Sequence, residues 1–250
     1  RAFEYSDCTV DDSRLAMLAA RAGTLLGATV ETRTRCIAAH REHGLWRITV
    51  ENTRNGKRHD VCARALVNAA GPWVAEVVEN VIGRANPVKV RLVKGSHIVV
   101  DRLYDHDRAY IFQNGDGRVC FAIPYERDFT LIGTTDEDFS GDPRDARISD
   151  AETDYLLAAV SEYLERPLTR AMIRWTYAGV RPLYDDGAGK AQEATRDYVL
   201  SLDEMPGKAP LLSVIGGKIT TYRRLAERAM LELAATFPAM GRPWTQGAKL

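Results

Sequence analysis

Residues 211–223 read LLSVIGGKITTYR, and the fold follows from them. The apolar run 211–215 predicts a strand, Gly216 and Gly217 end it, and a helix follows in which Leu225, Ala226, Ala229, Met230 and Leu233 recur at helical spacing. Two glycines let the backbone approach another group closely, and a helix start directs unpaired N–H groups at it. Lys218 stands in the first turn, where the macrodipole disfavours a cation by about 0.3–1 kcal/mol. An anion, or negative charge developing on a ring, would offset that cost. A solvated lysine lifted clear of the helix start is the plainer alternative. Residues 66–73, LVNAAGPW, follow the same order: an apolar strand, small residues at 69–71, and a helix entered at Pro72. A tight turn selected only for packing is the competing reading of that second string.

Outward from these turns, Asp11, Asp12 and Ser13 offer a cap and first-turn acids for a helix through Leu15, Leu18, Ala22 and Leu25, with Gly27 as its stop. Residues 28–35, 45–52 and 61–66 read as strands, the last two joined by the hairpin signal Asn55-Gly56. From 88 to 136 short β runs at 96–100, 109–113, 119–123 and 129–133 alternate with polar turns, which predicts an antiparallel sheet. A helix is expected over 149–165, with Asp150 and Glu152 near its start, then strands at 173–179 and 197–202. The fold class is α/β (α+β).

The chain has 250 residues, 34 of them basic and 34 acidic, so no clustered cationic excess equips it for nucleic acid. With 45% apolar and 27% charged residues it reads as globular, one large domain or two smaller ones. Cys8, Cys36, Cys62 and Cys120 form no CxxC pair, so no zinc or dithiol site is expected. Neither a signal peptide nor an uninterrupted apolar run of membrane-spanning length is present, which favours a cytosolic chain. No GxGxxG, Walker loop, HExxH, EF-hand or GxSxG string occurs.

What remains is a set of cations and one histidine. Arg181, between Val180 and Pro182, leaves the end of a strand on a stiffened backbone, which suits bidentate recognition of carboxylate or phosphate. An ion pair with Asp185 or Asp186 is the alternative. Arg196 opens another strand beside Asp197, where a simple salt bridge competes with a binding role. His97 begins an apolar strand and is either a hydrogen-bonded structural residue or an acid/base group near neutral pH.

Seven strings occur together: YSDC (5–8) with Val10-Asp11-Asp12, LVNAAGPW (66–73), KGSHIVV (94–100), IGTTD (132–136), WTYAGVRPL (175–183), TRDY (195–198) and GGKITTYR (216–223). In this combination and order the chain resembles the FAD-dependent glycerol-3-phosphate dehydrogenases of the D-amino-acid-oxidase-like superfamily. The resemblance implies an interior piece of a longer enzyme, lacking the family's N-terminal GxGxxG segment and C-terminal helical domain, a reading consistent with Arg at position 1. It implies a Rossmann-like FAD-binding domain in two parts, 1–86 and 184–250, with an antiparallel substrate domain, 87–183, inserted between them.

The same resemblance implies oxidation of sn-glycerol 3-phosphate, with hydride passing to FAD and electrons to quinone. Catalytic roles fall to His97, Arg181 and Lys218, and substrate contacts to Arg181, Arg196 and Lys218. Ala70, Gly71, Pro72, Trp73, Gly216, Gly217, Lys218, Thr220 and Thr221 should flank the FAD. It further implies a cytoplasmic enzyme held peripherally on the inner face of the cytoplasmic membrane, as a possible homodimer. Two other classes compete: a flavin oxidase acting on an amino acid, whose carboxylate Arg181 would grip, and a non-catalytic remnant that binds a partner.

Overall fold

A computed structural model describes residues 3–85, 89–185, 187, 189, 195 and 197–248. Among them the strands, in chain order, are β1 Thr34–Glu42, β2 Leu45–Asn52, β3 Arg58–Ala63, β4 Leu66–Asn68, β5 Val90–Asp101, β6 Tyr110–Gln113, β7 Val119–Tyr125, β8 Phe129–Gly133, β9 Glu137–Asp138, β10 Ile173–Tyr184, β11 Tyr198–Asp203 and β12 Leu211–Gly216. They form three sheets: β1-β2-β3; β10-β5-β8-β7-β6, with β9 also on β5; and β11-β12-β4.

The six-stranded sheet is antiparallel throughout, as the alternation of short β runs and polar turns predicts. Side chains alternate across a sheet, so each strand serves two environments. On one face Ile98, Val100, Ile132 and Ala122 pack against Leu156, Leu157 and Val160 of the Asp150–Ser161 helix, forming the largest core cluster. Ser149 caps that helix in a capping box with Glu152. The other face carries His97, Tyr177 and Arg181, which register opposite Tyr177, His97 and Val93 respectively.

The small sheet combines an antiparallel pair, β11 with β12, and a parallel pair, β12 with β4, in which Leu211, Leu212 and Ser213 face Leu66, Val67 and Asn68. Leu212 packs with Ala229 and Leu233 beneath the Tyr222–Glu232 helix. The β1-β2-β3 ribbon seats Trp46 against Ala209 and Leu211, and the indole Nε1 donates to the Pro210 carbonyl at 2.8 Å. Both β10 and the 71–73 turn lie against β12, which joins the small sheet to the large one.

Four expectations need correction. Of residues 28–35 only Thr34 and Arg35 are strand; β1 starts at Thr34 and runs on through charged positions to Glu42, held by its ladder to β2. The 61–66 run is split at Arg64 and Ala65, one part pairing with β2 and the other with β12. β10 continues past residue 179 to Tyr184, so Arg181 lies within a strand, not beyond its end. The last helix begins at Tyr222, after a 3-10 turn Ile219–Thr221 that Lys218 precedes in extended conformation. Lys218 therefore stands a turn ahead of the helical dipole. The Asp12–Leu25 helix forms as expected, capped by Asp11, but has no buried residue.

Candidate active site

Because β4 and β12 are parallel neighbours, their carboxyl ends lie at one edge of the small sheet, the place where open α/β sheets bind ligands. β4 runs into the turn at 70–73. Asn68, buried beneath it, donates from Nδ2 to the Val74 carbonyl at 2.9 Å and accepts from the Ala70 N–H at 3.3 Å. Gly71 has φ +57 and open space where a Cβ would stand, so backbone is presented bare. Pro72 and Trp73 complete a 3-10 turn. β12 ends in Gly216 and Gly217 at φ +72 and +93. A Cβ on Gly216 would lie 2.8 Å from the Asp197 carbonyl and 3.5 Å from that of Pro182. That second approach brings the turn against the strand position next to Arg181. Lys218 and Thr220 are exposed, and the Thr221 N–H and hydroxyl both donate to the Lys218 carbonyl.

On the large sheet three strands lie side by side, β10, β5 and β8, and their side chains lean across one another. The Tyr177 ring stacks on His97, with centroids 4.8 Å apart and planes 9° from parallel. The imidazole in turn occupies the space over Gly133 of β8, where a Cβ would come within 2.7 Å of Nε2. Arg181 crosses β5 above Gly95 in the same manner. Beyond β5 its Nη1 donates to Asp136 Oδ1 at 2.9 Å and its Nη2 to Thr134 Oγ1 at 3.0 Å. Asp136 is thus an ion-pair partner of Arg181; Asp186, expected as an alternative partner, lies outside the described residues.

Burial, and then the Arg181 guanidinium, push the His97 imidazole down to about 4, so it is neutral at physiological pH. Its Nδ1 is buried and has no hydrogen-bond partner among the described residues. A buried polar atom left in this state is costly unless another group completes the site.

The link from β8 to β9 is a bulge. His97 pairs with Gly133 and Lys94 with Glu137, so residues 134–136 face only Gly95 and Ser96. Thr135 points to the helix-covered face, where its hydroxyl accepts from the Ser96 N–H at 3.0 Å and donates to Glu152 Oε1 at 2.7 Å. Burial alone would push the Glu152 carboxyl up, but hydrogen bonds from Lys94, Ser149, Ser96 and Thr135 outweigh it and hold the group down at about 2.

His97 and Arg181 are thus brought together, the Gly216 turn meets β10 at Pro182, and the 71–73 turn also lies against β10. Arg196 lies outside the described residues. Sequence reading missed Tyr177, Gly95, Gly133, Thr134 and Asp136 as parts of the site. The available signal was alternation: Gly95 precedes His97 by two positions on one face of a strand.

Two glycine turns thus stand at the ends of parallel strands, beside an antiparallel sheet that carries an imidazole and a guanidinium. The chain belongs to the FAD dependent oxidoreductase family, which it matches over residues 1–223. It is 50% identical over its whole length to a glycerol-3-phosphate dehydrogenase of Pseudomonas aeruginosa, of which it covers 49%. It is 48% identical to a D-erythritol 1-phosphate dehydrogenase of Brucella abortus, of which it covers 50%. The chain therefore spans about half the length of these curated relatives. Among solved structures, it superposes with a TM-score of 0.77 on the glycerol-3-phosphate dehydrogenase of Bacillus halodurans complexed with FAD, at 28% identity, covering 94% of this chain and 45% of that one.

The residues present fit one side of a flavin. Gly71 presents backbone into open space, and His97 Nδ1 is a buried polar atom left without a partner among the described residues; Gly216 and Gly217 are instead packed against Asp197, Tyr198 and Leu225.

Proposed function

We propose that this chain is part of an enzyme that oxidises the secondary alcohol of sn-glycerol 3-phosphate to dihydroxyacetone phosphate. The observation that carries the reading is the placement of Arg181 and His97 on one sheet face, each seated over a glycine, with the Gly216 turn packed against β10 at Pro182. A phosphate anchor and a proton acceptor within one small substrate's reach are what a phosphorylated alcohol requires.

FAD, when bound, supplies the two-electron acceptor for the hydride. In this reading the residues at 70–73, with Gly216, Gly217, Thr220 and Thr221, hold it. Arg181 binds the phosphate through charge-assisted hydrogen bonds, already oriented by Thr134 and Asp136. Arg196 and Lys218 are assigned to the remaining substrate oxygens, and Lys218 also adds positive potential beside the cofactor. His97, neutral at working pH, accepts the hydroxyl proton, and stacking on Tyr177 fixes its ring plane. A dianion on Arg181 cancels part of the repulsion that lowers the imidazole, so the base strengthens when substrate arrives.

The domain division proposed is 1–86 and 184–250 for the cofactor and 87–183 for the substrate. Electron transfer to quinone, peripheral contact with the inner face of the cytoplasmic membrane and a homodimer are proposed from likeness to the family. No helix of the described residues is long and apolar enough to cross a membrane, which is compatible with peripheral contact.

The relative named for D-erythritol 1-phosphate favours a second reading, a longer polyol phosphate, which keeps the same anchor and base. Measuring kcat/KM of the FAD-loaded enzyme for glycerol 3-phosphate, D-erythritol 1-phosphate and glycine, with an artificial electron acceptor, separates the readings. Preference for glycine would overturn both phosphate readings.

A further inference from the structure

Thr135 and its neighbours Thr134 and Asp136 belong to one three-residue bulge, yet they face opposite sides of the sheet. Thr134 and Asp136 accept hydrogen bonds from the Arg181 guanidinium. Thr135 turns the other way and is 1% exposed. There its hydroxyl joins a closed polar cluster in the core. Glu152 Oε1 accepts from Ser96 Oγ and Thr135 Oγ1, both at 2.7 Å, and Oε2 accepts from Lys94 Nζ at 2.7 Å and the Ser149 N–H at 2.8 Å. A carboxylate in an apolar core is costly unless paired and fully hydrogen-bonded. Helix capping explains only the Ser149 contacts at Oε2. The contacts at Oε1 reach the bulge, and the helix does not need them.

We infer that Glu152, through Thr135, is a positioning residue: it clamps residues 134–136 from the core side so that Thr134 and Asp136 hold the Arg181 guanidinium in the orientation that receives the substrate's phosphate. Loss of the clamp leaves Arg181 charged and present but free to swing, so affinity for the anion falls while the chemical step, once substrate is bound, does not. The inference rests on the reading of Arg181 as the phosphate anchor.

The test uses the FAD-loaded protein that carries this chain and two readouts: steady-state kinetics with glycerol 3-phosphate, and the Kd of inorganic phosphate measured by calorimetry without turnover. Thr135→Val, nearly the same shape without the hydroxyl, should raise both KM and the phosphate Kd about tenfold, with kcat within about twofold. Thr135→Ser, which restores the hydroxyl, should return both to within about twofold of the parent. Should Thr135→Val fail to fold, Thr135→Ala, which also removes the hydroxyl, carries the same expectation. A folded Thr135→Val or Thr135→Ala protein with unchanged KM and Kd overturns the inference, as does a parallel fall in kcat and melting temperature that Thr135→Ser does not rescue. Arg181→Ala separates the two levels. If it leaves the phosphate Kd unchanged, the anchor reading itself fails; if it weakens phosphate and Thr135→Val does not, only the positioning role fails.

Discussion

Arg181 fills the volume that a side chain on Gly95 would need: a Cβ on Gly95 would lie 2.7 Å from the guanidinium Cζ. The strand between β10 and the bulge is thus made thin at one residue, so that a cation from one side can reach acceptors on the other. Gly95→Ala should meet only the far end of a flexible side chain. The fold should therefore tolerate it, with stability within about 1 kcal/mol by urea melting, because strands accept alanine at modest cost. KM for glycerol 3-phosphate should nonetheless rise about tenfold as the guanidinium is displaced. An unchanged KM would show that Arg181 need not cross β5 at that point.

Removing the guanidinium outright should cost more. Arg181→Ala should raise KM by more than about tenfold, since a hydrogen bond to a charged group contributes about 1.5–3 kcal/mol. Arg181→Lys should recover little, because a point charge cannot reproduce a fork that engages Thr134 and Asp136 together. Equal kcat/KM in parent and Arg181→Ala enzymes would remove the anchor role.

The depressed His97 imidazole has two pH consequences. Its folded value is about 4 against an ordinary 6.5, so the unfolded chain takes up a proton first as pH falls. Stability should be level above about pH 6.5 and decline between 6.5 and 4, by up to about 3 kcal/mol. His97→Gln should flatten that part of the melting-temperature profile. In catalysis, the acid limb of kcat should lie at higher pH than that of kcat/KM, because bound phosphate on Arg181 makes the imidazole more basic. Coincident limbs, or a His97→Gln enzyme with full turnover across pH, would exclude proton transfer at this residue.

Gly216 offers the opposite contrast to Gly95. Its φ of +72 lies in the left-handed region, and the nearest atom to an added Cβ is the Asp197 carbonyl, which is backbone and cannot step aside. Gly216→Ala should destabilise the protein by about 1–3 kcal/mol and lower the FAD content of the purified protein together with its melting temperature. Full FAD occupancy at parental stability would separate this turn from the cofactor.

The two glycine turns and the antiparallel sheet were legible because strand runs ending in small residues, and turns such as Asn55-Gly56, announce themselves locally. β1 was not, since its half-exposed ladder mixes Arg35, His40, Arg41 and Glu42 with small residues, and a register shift between Cys36 and Ala38 breaks any alternation. The extension of β10 was hidden by Pro182. It is tolerated because β10 is an edge strand, where a missing N–H on the outer side breaks no ladder. Glu152 was visible as a first-turn acid, and that sufficient local explanation concealed its contact with Thr135. Arg181 and His97 could be picked out by chemistry; that they share a face depended on the β5–β10 register, which a single sequence does not contain.

The surplus residue in the β8–β9 link makes the site depend on counting as well as on chemistry. Three residues opposite two allow one hydroxyl to turn inward while its neighbours turn outward. Deleting any one of them would restore an even ladder of two residues opposite two, leaving one side chain facing Arg181 where Thr134 and Asp136 now both do. Sequence drift at this point should therefore be forgiving of exchange between small hydroxylic residues and unforgiving of any change in length.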